Sequence, residues 1–111
     1  IVATPTGSTA YALAAGGPVL SPELRNVLLV PVAPHRSMNR AMVLPETVSV
    51  VVQAQSDHQA VVSMDGQEPL PLSENDELRL RASDLQASFV RLREPGYFYR
   101  AIHSMVGGGD C

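Results

Sequence analysis

Prolines and glycines interrupt the apolar runs of this chain so often that each run is long enough only for a short strand or a short helix. Pro31 closes Val27-Leu28-Leu29-Val30, Pro45 closes Met42-Val43-Leu44, and Pro69 and Pro71 lie within Glu68 to Leu72. Proline has no N–H to give to a sheet ladder, so each of these marks a strand end or an edge. Many short strands with Pro/Gly turns predict a mainly β chain: a two-layer antiparallel β-sandwich, with a short helix near the start and a short C-terminal helix.

A chain of 111 residues forms one domain, long enough to bury roughly 60–70% of the surface its unfolded form exposes. The formal net charge is −3, and no dense basic patch suggests a nucleic-acid partner. No stretch approaches the roughly 20 apolar residues of a membrane helix. The single Cys111 cannot form an internal disulfide, as expected for a reducing compartment. Without a signal peptide or an initiating Met, the sequence reads as a cytoplasmic piece of a longer protein.

Ile1 and Val2 lead into Thr4-Pro5-Thr6-Gly7-Ser8-Thr9-Ala10-Tyr11, which reads as strand, tight turn and helix start. Ser8 and Thr9 are expected to cap the helix, and its first N–H groups would suit the polar edge of a nucleotide. The turn lacks the lysine and the glycine spacing of a Walker loop, so it would position a substrate rather than grip a triphosphate. Ala10, Leu13 and Ala14 share one face of the predicted helix, and Gly16-Gly17-Pro18 stops it. Small alanines at 10, 12, 14 and 15 leave room for a neighbouring backbone, a ligand or a second subunit.

Farther on, the run Val27 to Val30 suits a strand buried on both faces, and Pro31 and Pro34 make its exit, with Ala33 and His35, a rigid loop. Arg36, Asn39 and Arg40 continue as a polar loop. Thr47 to Gln55 and Ala60 to Met64, separated by Ser56-Asp57-His58, predict an antiparallel hairpin. Asp65-Gly66 predicts a two-residue turn into an edge strand over Glu68 to Leu72. Glu77 to Ala82 and Ala87 to Leu92 alternate with period two and predict a second hairpin, with Arg79, Arg81, Arg91 and Arg93 on solvated faces. Phe98, Ala101, Ile102 and Met105 follow at the spacing of one helical face, giving a short helix over 97–106, and Gly107-Gly108-Gly109-Asp110 reads as a frayed tail.

Three blocks, in order and at matching spacing, carry a resemblance. T-P-T-G-S-T-A-Y with A-G-G-P (Thr4 to Pro18), V-L-L-V-P-V-A-P-H (Val27 to His35) and Asp65-Gly66-Gln67 together resemble the signature of the NAD kinases. The resemblance implies the C-terminal β-rich domain of an enzyme that transfers the terminal phosphoryl group of ATP, or of inorganic polyphosphate, to the 2′-hydroxyl of the adenosine ribose of NAD, giving NADP. It places Thr6, Thr9, Ala10, Tyr11 and Ala14 at the NAD site. Ala33 and His35 would approach from the strand exit, and Asp65 and Gly66 would border the pocket.

The family's G-G-D-G, whose Asp is the implied general base, and its Asn-Glu pair are not in this sequence. No catalytic residue is therefore expected among these residues, and the fragment alone is expected to be inactive. A divalent metal, Mg2+, is implied with ATP or polyphosphate in the full-length enzyme, and none is expected on this fragment alone. The implied partners are the N-terminal α/β domain, against which helix 97–106 would pack, and further copies in a dimer or tetramer. Two alternatives are kept: the β-domain of a lipid kinase of diacylglycerol or sphingosine type, and a non-enzymatic β-sandwich for binding or assembly.

Overall fold

The computed structural model describes residues 1–35 and 39–106; the expectations for Arg36 and for the tail from Gly107 to Cys111 lie outside the described residues. The elements are β1 (Val2–Ala3), a 3-10 turn (Thr6–Thr9), α1 (Tyr11–Ala14), β2 (Asn26–Leu29), β3 (Met42–Pro45), β4 (Val50–Gln53), β5 (Ala60–Val62), β6 (Leu70–Leu72), β7 (Glu77–Leu80) and α2 (Tyr97–Val106). The chain is mainly β, every strand pair is antiparallel, and the strands form three small sheets. They divide between two units, Ile1–Glu46 with the described residues after Ala82, and Thr47–Ala82.

In the first unit the predicted buried strand is the middle of a three-stranded sheet ordered β1-β2-β3. Val2 pairs with Leu29 and Leu28 with Val43, while Pro45 ends the edge strand β3 opposite Asn26. Leu28, in the central strand, is completely buried and forms the core with Val30, Ala12 and Leu20; Ala3, Ala15 and Ala41 pack around them. Burying such a leucine contributes about 2 kcal/mol.

Helix α2 forms over the expected residues, with Phe98, Ala101 and Ile102 half-buried. The Tyr99 hydroxyl meets Ser21 Oγ at 3.1 Å, Arg93 lies 4.2 Å over the Tyr97 ring, and Glu94 pairs with Arg100. A groove of about 450 Å3 runs between Pro22, the segment Val90 to Pro95, and Tyr97, Phe98 and Ala101.

The Asp65-Gly66 turn is as expected. Both residues have positive φ, 50° and 71°, and the Gln67 N–H donates to Met64 O at 2.9 Å. It joins β5 to β6, and Pro71 stands within β6 opposite Val61.

Strand partnering differs from expectation in two places. The segment 47–55 does not form a hairpin with 60–64; β4 pairs instead with β7, while β5 is taken by β6. Turn chemistry supports the second pairing, because Asp65 and Gly66 take the positive φ that reverses the chain between β5 and β6. Side-chain sorting explains the first: Val50 lies opposite Leu80 and Val52 opposite Leu78 on one face. On the other face Gln53 Nε2 donates to Glu77 Oε1 at 3.0 Å and Arg79 meets Glu77 at 3.6 Å.

The second predicted hairpin is also absent: Ala87 to Leu92 is not a strand, and β7 pairs with β4. Period two says which side chains would share a face, but not that a partner strand exists. Leu85, Phe89, Val90 and Leu92 are accordingly 80% to 94% exposed. Arg79, Arg81, Arg91 and Arg93 are all exposed, as expected. The core is smaller than the chain length suggested, a cluster of Ala12, Leu20, Leu28 and Val30 among the described residues, all in the first unit. Two-stranded sheets are too narrow to enclose a core by themselves.

Candidate functional site

The stretch after β1 is built around a serine that faces inward. Ser8 is fully buried; its Oγ donates to Pro5 O at 2.7 Å and accepts the Leu20 N–H at 2.9 Å. Pro5 is buried beside it, and the Thr4 hydroxyl accepts the Gly7 N–H at 3.2 Å. This corrects the expected capping role: neither Ser8 nor Thr9 caps a helix with its side chain, and Thr9 Oγ1 donates to Thr6 O at 3.5 Å. The helical pieces span four residues each and meet at Ala10. Too few peptide dipoles align there to make a helix N-terminus of the kind that binds anions.

With Ser8 turned in, its neighbours are turned out. Thr6, Ala10, Tyr11 and Ala14 are exposed and Thr9 is half-exposed, so the five predicted residues of this stretch lie together at the surface. Tyr11 is 77% exposed, which leaves its ring face and its hydroxyl both open to a ligand. The buried side of this segment is Ala12, with Leu13 and Ala15 half-buried, while Ala10 and Ala14 are exposed. Four residues make barely one turn, so the packed face is decided by where the chain re-enters the core at Gly17.

That re-entry relates the turn to the strand exit. Because β1 and β2 run antiparallel with Ala3 opposite Leu28, Thr4 leaves the sheet at one end and Pro31 leaves at the other, where Ile1 and Val30 exchange two hydrogen bonds of 2.8 Å. Gly17 is buried against Val30: a Cβ there would come 2.8 Å from Val30 Cγ2 and 2.8 Å from Ala12 O. The segment from Thr6 to Gly17 thus ends against the residue that precedes the exit loop. Ala33 and His35 are exposed on that loop, and Ala33 has a φ of 46°, a left-handed conformation uncommon outside glycine. Asp65 and Gly66 are exposed at their turn in the other unit.

Ser8 and Gly17 were missed as anchors. Gly17 stood in the sequence as a helix stop, but its glycine is needed for close approach, and only the neighbouring Gly16 takes a positive φ, of 93°. Nothing local marks Ser8, since its partner Leu20 lies twelve residues on. Chemically, the surface offers hydroxyls, one aromatic ring and small side chains, which suits packing on and hydrogen bonding to a flat polar ring. Among the described residues no group of three His, Cys, Asp or Glu side chains converges to hold a metal ion. No helix among the described residues is long and apolar enough to cross a membrane.

Comparison with known proteins places these residues in a wider set. Residues 1–92 match the family model of the ATP-NAD kinase C-terminal domain. The chain is 41% identical to the NAD kinase of Dehalococcoides mccartyi (strain CBDB1) over 99% of its own length and 39% of that protein's. It is 48% identical to the NAD kinase of Chloroflexus aurantiacus (strain ATCC 29366 / DSM 635 / J-10-fl) over 92% of its length and 37% of that protein's. The chain therefore spans about two fifths of the length of these curated relatives. Among solved structures, an NAD kinase from Archaeoglobus fulgidus in complex with ATP superposes with a TM-score of 0.78 at 31% identity, over 98% of this chain and 41% of that one. A yeast NADH kinase complexed with NADH shares the fold, with a TM-score of 0.64 at 23% identity over 99% of this chain and 35% of that one.

Proposed function

This chain belongs to the NAD kinase family and forms its C-terminal domain, and on that premise we propose that the surface of Thr6, Thr9, Ala10, Tyr11 and Ala14 holds NAD while the 2′-hydroxyl of its adenosine ribose is phosphorylated. The observation that carries this assignment is the open Tyr11 ring, 77% exposed on a stretch anchored from beneath by Ser8. A large aromatic side chain in that position is placed for a ligand ring rather than for the core. Thr6 and Thr9 offer hydroxyls to the ribose or the amide, and Ala10 and Ala14 keep the approach clear. Ala33 and His35 are further proposed contacts on the same unit, and Asp65 and Gly66 are proposed as NAD contacts on the turn of the other unit.

In the reaction, the 2′-oxygen bonds to the terminal phosphorus of ATP or polyphosphate as that phosphorus parts from its bridging oxygen, which leaves on ADP or on the shortened polyphosphate, and the hydroxyl proton passes to a base. No G-G-D-G occurs in these 111 residues, so the base is assigned to the rest of the enzyme, which is also proposed to hold Mg2+ and the phosphoryl donor. Phosphoryl transfer depends chiefly on alignment and charge stabilisation, and this domain's share is to hold the acceptor in line. The proposal extends to the two-layer packing of the sheets, to helix 97–106 packing on the N-terminal domain, to a dimer or tetramer, and to a cytoplasmic location.

The test is steady-state kinetics of the full-length enzyme. Tyr11→Ala and Thr9→Val are expected to raise KM for NAD about tenfold while leaving KM for ATP within about twofold. Unchanged NAD kinetics in both variants would remove these residues from the site.

A further inference from the structure

We infer that Ser8 is a positioning residue for NAD: its buried hydroxyl, bonded to Pro5 O and to the Leu20 N–H, sets the acceptor surface without touching the ligand. The inference rests on the assignment of Thr6, Thr9, Ala10, Tyr11 and Ala14 to the NAD site. Ser8 is fully buried, at 2.7 Å from Pro5 O and 2.9 Å from Leu20 N, so its side chain faces away from the surface on which Tyr11 is open. It sits between Thr6 and Thr9, and any rotation of the turn about Ser8 carries both threonines and the start of α1 with it.

The second end of this stretch is held by packing against Val30 and by a local backbone hydrogen bond. Gly17, whose N–H donates to Ala12 O at 2.8 Å, is pressed against Val30. Two unlike anchors thus hold one short exposed segment, a hydrogen bond at Ser8 and a close contact at Gly17. Four-residue helical pieces have little stability of their own, so the position of Tyr11 depends on these anchors rather than on helix geometry. The Ser8 hydroxyl is the only group of the turn that reaches across twelve residues to Leu20 among the hydrogen bonds of the described residues. Without it the Leu20 N–H loses its partner in a buried place, and the turn can relieve that only by moving.

The experiment compares Ser8→Ala, Ser8→Cys and Tyr11→Ala, and the double variant Ser8→Ala with Tyr11→Ala, in the full-length enzyme. Cysteine nearly fills the serine volume with a weak hydrogen-bonding group, so it carries the test if alanine does not fold. Both Ser8 variants are expected to raise KM for NAD about tenfold with KM for ATP within about twofold. The double variant should show less than the product of the two single effects, because Ser8 acts through the placement of Tyr11. A rise in KM for NAD with Tyr11→Ala, but none with either Ser8 variant, would overturn the inference and leave the NAD site standing. Equal rises for NAD and ATP in the Ser8 variants would also overturn it, since they mark general loosening. Should Tyr11→Ala and Thr9→Val both leave NAD kinetics unchanged, the site itself is wrong and the role of Ser8 falls with it.

Discussion

Gly17 lies so close to Val30 that a Cβ added to it would come within 2.8 Å of Val30 Cγ2. The same carbon would meet Ala12 O at 2.8 Å, and backbone cannot give way as a flexible side chain can. Gly17→Ala is therefore expected to destabilise the protein by about 1–3 kcal/mol through overpacking. Urea unfolding of the full-length enzyme measures this, and a midpoint equal to the parent's would disprove the close contact.

Core and surface leucines should separate cleanly in this chain. Leu28→Ala removes a wholly buried side chain and should cost about 3 kcal/mol. Leu92 is 94% exposed, and Leu92→Ala should change stability by no more than about 0.5 kcal/mol. Paired unfolding curves of the 111-residue chain decide; equal losses would mean that Leu92 is packed in solution.

Ala33 holds a φ of 46° directly before Pro34. Valine tolerates that region worse than alanine because of its branched Cβ, so Ala33→Val should cost about 1–3 kcal/mol. Ala33→Gly should be no less stable than the parent, and thermal melting of both variants checks the pair. A valine variant that melts with the parent would rule out the left-handed backbone.

The turn at Asp65 and Gly66 separates hairpin chemistry from ligand contact. Asn accepts a left-handed φ as readily as Asp, so Asp65→Asn should preserve stability, whereas Gly66→Ala should cost about 1 kcal/mol. If Asp65 borders the NAD pocket, Asp65→Asn also raises KM for NAD in the full-length enzyme. Unchanged kinetics would leave this residue with the turn alone.

The 111-residue chain by itself, mixed with NAD, ATP and Mg2+, is expected to form no NADP above the uncatalysed background. A product assay for NADP is sufficient. Turnover at the rate of an intact kinase would show that a general base lies among these residues.

The features legible in the sequence are those whose causes act within a few residues. Positive φ at Asp65 and Gly66 follows from a two-residue turn, the end of the strand near Val30 follows from Pro31, and α2 follows from the 3.6 spacing of Phe98, Ala101 and Ile102. The resemblance of three motif blocks to a family was legible for the same reason, since it needs only order and spacing. Tertiary structure alone decided which strand β4 would pair with, that Ala87 to Leu92 would be left without a ladder, and that Ser8 would turn inward to the Leu20 amide. Those outcomes depend on groups that meet across twelve or more residues, where the gain from a pairing is weighed against the entropy of closing the loop between them. Local pattern carries no measure of that competition.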